Sequence, residues 1–88
     1  MARSSERAKK AAQALARRVL TRRDGRVCLR TPAGHVLLGY VRREDTHDGP
    51  AWFWSVSNDF YHDAEVGGVK RHQAVEALLT WLLGRGRR

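Results

Sequence analysis

Turn signals interrupt the middle of this chain at close intervals and limit what can form between them. Asp24-Gly25, Thr31-Pro32-Ala33-Gly34, Asp48-Gly49-Pro50 and Gly67-Gly68 each favour a reversal. The two pieces between the first three, and the piece that follows the third, are short and rich in Val, Leu, Tyr or Trp, so they read as strands. Arg26 to Arg30 is the first, with Val27 and Leu29 inward and Arg26, Cys28 and Arg30 on the other side. His35 to Arg43 is the second and Ala51 to Ser57 the third. In the third, Trp52, Trp54 and Val56 share one face and Phe53 lies on the other.

Both ends read as helices. Ser4 and Ser5 are candidate N-caps, followed by helix formers from Glu6 to about Arg23. Ala8, Ala12, Leu15 and Val19 then fall on one helical face, while Arg3, Arg7, Lys10, Arg17 and Arg18 fall broadly opposite. From Lys70 to Leu83, Val75, Leu78, Leu79 and Leu82 form a second apolar face, and Gly84 ends it. Phe60 and Tyr61 suggest an ordered loop or a short strand within the stretch from Asn58 to Val69.

The expectation is a two-layer α+β domain over residues 1–84, ordered helix, three-stranded antiparallel meander, helix. The N-terminal basic helix covers about 5–23, and 85–88 form a flexible basic tail. Trp52, Trp54, Leu15, Val19, Leu78 and Leu82 are expected in one apolar cluster. The element order is similar to that of double-stranded RNA-binding domains. Its strand–strand–strand–helix part is similar to the arm-site DNA-binding domains of some phage integrases. Both likenesses rest on element order alone and assign no residue a role.

A chain of 88 residues buries a thin core, so dimerisation would help it, and a homodimer is one expectation. The longest apolar run, Ala74 to Leu83, contains Glu76 and is too short to span a membrane. Cys28 is the single cysteine, which excludes an internal disulfide and suits a reducing cytoplasm. No apolar segment follows the early charges, which argues against a secretory signal. The first 23 residues also have the Arg-rich, acid-poor character of a transit peptide, although the same helix fits as part of the domain.

The charge is segregated. Residues 1–30 hold ten Lys/Arg against two acids, residues 31–65 two against six, and residues 66–88 five against one. Within a net charge of +8, an acidic, aromatic-rich middle is flanked by basic ends. Such a balance points to polyanionic partners. The first helix carries Glu6 as its only acid before Asp24, so the mixed charges of a merely solvated helix are missing.

Gly67-Gly68-Val69-Lys70-Arg71-His72 places cations at a helix start, where the dipole is already positive. Free backbone amides and flexible glycines there would suit an anion. On the sheet, the face opposite Trp52 and Trp54 would present Phe53, Arg26 and Arg30, and such groups stack on bases.

These readings converge on a small non-enzymatic nucleic-acid-binding protein of phage, plasmid or bacterial regulatory type. DNA is preferred to RNA as its partner. The candidate phosphate contacts are Arg7, Lys10, Arg17, Arg18, Arg26, Arg30, Lys70 and Arg71. The rival is a protein-interaction module that uses the acidic loops and exposed aromatics. His35, His47, His62 and His72 lack a zinc-type spacing, so no metal or cofactor is expected. No Ser–His–Asp, phosphate-loop or paired-carboxylate pattern is present.

Overall fold

The computed structural model describes residues 2–85. Helix α1 spans Ala2–Ala16, and strands β1 (Val19–Thr21), β2 (Arg26–Thr31), β3 (Gly34–Thr46) and β4 (Gly49–Ser55) follow. A short helix α2 (Phe60–Asp63), strand β5 (Glu65–Gly68) and helix α3 (Arg71–Arg85) complete the order. The five strands form one antiparallel meander in chain order. The α+β class therefore holds, while the three-stranded layout gives way to five strands. The extra edge strands also separate this element order from the helix–three strands–helix of double-stranded RNA-binding domains.

Both unexpected strands have a physical explanation. The first helix begins at Ala2, so Ser4 and Ser5 lie within it, and it ends at Ala16 instead of running to Arg23. Arg17 and Arg18 donate their amides to the carbonyls of Ala14 and Leu15, at 3.4 and 2.8 Å, tightening the last turn. Val19-Leu20-Thr21 then pairs with Leu29, Cys28 and Val27. Two of these first three residues are β-branched, and a ladder partner outweighs the helical periodicity that Val19 shares with Leu15. In β5, Gly67-Gly68 belongs to a strand and not to a flexible turn, because α3 crosses it closely. A Cβ on Gly67 would stand 2.5 Å from the Ala74 Cα.

The core lies between one sheet face and the two long helices. Ala12 of α1, Val27, Val41 and Trp54 of the sheet, and Ala74, Val75, Leu78 and Leu79 of α3 form the buried cluster. Leu15, Val19, Trp52 and Leu82 pack against it half-buried, so the expected apolar cluster is present. Trp54 is 7% exposed, and its ring centroid lies 6.1 Å from that of Trp81. The β2–β3 ladder shifts register between Val27 and Cys28. Both residues are buried, although alternation alone would put Cys28 opposite the core.

The second and third expected strands meet beyond their expected bounds at Arg43 and Ala51. β3 and β4 run on past Glu44 and Asp45, and the hairpin turns at Thr46–Gly49. There the Thr46 hydroxyl donates to the Gly49 carbonyl at 2.6 Å. Arg85 closes α3, one residue beyond the expected stop at Gly84; the rest of the expected tail, 86–88, lies outside the described residues. Among the described residues, no helix is long and apolar enough to cross a membrane.

Candidate functional site

The sheet face away from α1 and α3 is set by alternation. Val41 is buried under the helices, so its neighbours Tyr40 and Arg42 point the other way. Register then places Arg26 beside Tyr40 and Phe53 beside Arg42 on that face. Helix α2 adds Phe60 from above. Asp59 opens this short helix, accepting the His62 amide at 3.3 Å on its carboxylate and the Asp63 amide at 3.0 Å on its carbonyl. The Ser57 hydroxyl donates to Asp63 at 2.6 Å, and His62 Nδ1 lies 2.8 Å from Asp59. These Ser, His and Asp side chains hold the turn and do not form a Ser–His pair. The Phe60 ring meets Tyr40 edge-on, with centroids 6.4 Å apart, and the Arg42 guanidinium lies 4.8 Å over the Phe60 ring.

At the end of the sheet beside the β1–β2 turn, on the side of Val41 and the start of α3, the arginines gather. A hollow of about 250 Å³ is walled by Arg22, Arg23, Arg42, Arg43 and Arg71, with Asp24 as the acid among them. Separate causes bring them there. Arg22 and Arg23 sit in the β1–β2 turn, closed by the Gly25 amide on the Arg22 carbonyl at 3.0 Å. Gly25 has φ +94°, a conformation that suits glycine, and a Cβ there would collide with the Val41 carbonyl. That carbonyl is close because the Val41 amide donates to the Gly25 carbonyl at 2.8 Å, which docks the turn on β3. Arg42 and Arg43 are successive on β3, and Arg71 is the first residue of α3.

The carboxylate in this hollow is already engaged. Asp24 pairs with Arg26 Nε at 3.2 Å and accepts the Arg26 amide at 3.1 Å. Both side chains are half-exposed, so the pair is screened and weak. Five arginines thus line a hollow that holds one carboxylate, although the Arg42 guanidinium itself lies over Phe60 and 3.6 Å from Glu44. Guanidinium forks match phosphate oxygens in geometry as well as charge.

A second hollow, about 240 Å³, opens beside the first and is lined by Arg26, Tyr40, Asn58 and Phe60. It shares Asp24, Val41 and Arg42 with the arginine hollow. Beyond it, Glu44, Phe53, Phe60 and Ala64 surround a third space of about 340 Å³. A larger groove of about 630 Å³ lies elsewhere, between Lys9 of α1 and Gln73, Ala77, Thr80 and Trp81 of α3.

The eight phosphate-contact candidates are distributed unequally. Arg71 walls the arginine hollow and Arg26 the second one. Arg18 and Arg30 meet at the far end of the β1–β2 hairpin, where the Arg30 amide donates to the Arg18 carbonyl at 3.3 Å; Arg17 is next to them. Arg7 and Lys10 are exposed on α1, and Lys70 is exposed just before α3. The amides of Val69 and Lys70 are not free for an anion: Gln73 Oε1 accepts both, at 2.8 and 3.1 Å, as in a capping box. Arg22, Arg23, Arg42 and Arg43 escape a reading of the sequence. Their signal is two Arg-Arg pairs, one before a turn and one bordering an acidic stretch, and only strand pairing joins them.

Among the described residues, no three His, Cys, Asp or Glu side chains gather in a metal-binding group. The chain matches no protein-family model, no curated protein and no solved structure with which it was compared.

Proposed function

We propose that this chain is a non-enzymatic nucleic-acid-binding protein that holds the phosphate backbone in its arginine hollow. One observation carries the reading: arginines from the β1–β2 turn, β3 and the start of α3 line one space whose single acid, Asp24, is already paired. Like charges brought this close repel one another, and an external polyanion relieves the repulsion while releasing its own counterions. The wider distribution agrees, since Arg17, Arg18 and Arg30 extend positive charge along the same hairpin. Phosphate contacts of this kind position a protein without reading sequence.

The test is fluorescence anisotropy with labelled oligonucleotides across a salt series. Binding should weaken steeply with salt. Arg22→Glu with Arg23→Glu, and separately Arg43→Glu with Arg71→Glu, should each lower the magnitude of the log–log salt slope by about one for every phosphate no longer neutralised. Undiminished binding by both folded variants would sink the reading. A protein-interaction module is the second reading, favoured by the groove beside Trp81 and by exposed Val66 and Val69 near the β5 edge. It gains if the wild type binds no nucleic acid at low salt.

A further inference from the structure

We infer that the nucleic acid is taken as a single strand, with a phosphate in the arginine hollow and an unpaired base against Tyr40, Phe60 and Arg42. This rests on the phosphate reading above and adds to it the class of strand.

The first support is continuity. The arginine hollow, on the helix side, and the aromatic hollow, on the open face, share Asp24, Val41 and Arg42, so a strand rounding the sheet at the β1–β2 turn meets both. The second is polarity. The arginine hollow carries a strong excess of positive charge. In the aromatic hollow Arg26 is paired with Asp24, and Arg42 lies 3.6 Å from Glu44. Farther on, Glu44 also lines the space beside Phe53. Charge therefore falls from strongly positive to nearly neutral along the track. A nucleotide has the same polarity, an anionic phosphate joined to a neutral base.

The third support is the surface offered to that base. The Arg42 guanidinium is backed by the Phe60 ring at 4.8 Å, yet its side chain is 54% exposed. A flat cation supported on one side and open on the other is a stacking plane for a base. Tyr40 stands edge-on to Phe60 and is half-buried, and the exposed Asn58 supplies an amide able both to donate to and accept from a base edge. A duplex keeps its base faces stacked inside, so it can offer this surface phosphates, sugars and base edges but no face to stack on. An unpaired strand can use both hollows together.

The experiment compares three labelled ligands of about 20 nucleotides at equal salt: oligothymidine, a duplex, and an abasic strand with the same phosphates but no bases. Oligothymidine should bind the wild type roughly tenfold or more tightly than the abasic strand, the gain expected from stacking one base. Tyr40→Leu and Phe60→Leu keep apolar bulk and remove the ring. Each should shrink that advantage and leave the salt slope unchanged, with circular dichroism as the folding control. Equal binding of oligothymidine and abasic strand would overturn the stacking inference and leave the phosphate reading standing. So would folded leucine variants that keep the full advantage. Failure of the wild type to bind any of the three at low salt would remove the phosphate reading itself. Should both leucine variants unfold, the wild-type comparison of bases against abasic backbone still decides.

Discussion

The two faces of the sheet are built from the same strands and share almost nothing else. On β3, Val41 is 3% exposed beneath α3, while the adjacent Tyr40 and Arg42 look out on the other side. On β4, Trp54 is buried against Trp81, while the adjacent Phe53 opposes Arg42. The covered face is closed by α1 and α3 and makes the stability of a small domain. The open face carries aromatics and guanidiniums that the core does not need. A period of two residues thus lets one strand serve packing and binding at once. Substitutions on the two faces should accordingly fail in different ways.

The largest expected effect is Trp54→Ala. Removing this side chain should cost roughly 3–5 kcal/mol, comparable to the whole stability of so small a domain. Thermal melting by circular dichroism checks it. A wild-type melting temperature would break the distinction between the faces. Gly67→Ala comes next. Its new methyl meets the Ala74 backbone, so α3 must lift from β5, at a cost of about 1–3 kcal/mol in urea unfolding. A neutral result would mean that β5 yields to the helix, and that this edge is looser than the rest of the covered face.

Smaller still is Gln73→Ala, which strips the acceptor from the Val69 and Lys70 amides. The loss should be about 1 kcal/mol in the same measurement. It sharpens the comparison, because it separates a helix start that is internally capped from one that waits for an anion. Added phosphate should not restore the lost stability. The smallest effect belongs to the exposed rim of the arginine hollow. Arg43→Glu should change stability by no more than about 0.5 kcal/mol, as exposed substitutions away from caps and cores do. A drop of several kcal/mol would show that the arginine hollow helps to hold the fold together.

Where periodicity is local, the chain is legible. The alternation through Trp52-Phe53-Trp54 and the helical spacing of Val75, Leu78, Leu79 and Leu82 each put the right residues toward the core. Where a strong local pattern has a nonlocal competitor, it misleads. Val19 continues the helical spacing of Leu15, yet it pairs with Leu29 ten residues later. Gly67-Gly68 has turn chemistry, yet it lies in an edge strand because α3 needs close approach there. Charge singles out Arg26 and Arg71 but not their neighbours Arg22, Arg23, Arg42 and Arg43, because that grouping depends on strand pairing and on where α3 starts.

By itself, the amino-acid sequence determined the α+β class, the three central strands, the apolar face of the last helix and the segregation of charge. The strands and the helix face are written in neighbours two to four residues apart, where backbone geometry alone maps position to face. Only the tertiary structure decided that the first helix stops at Ala16, that two edge strands complete the sheet, that Gln73 caps α3, and that five arginines share one hollow. Most of these depend on contacts between residues distant in the chain, and no local period encodes which distant partner a residue will meet.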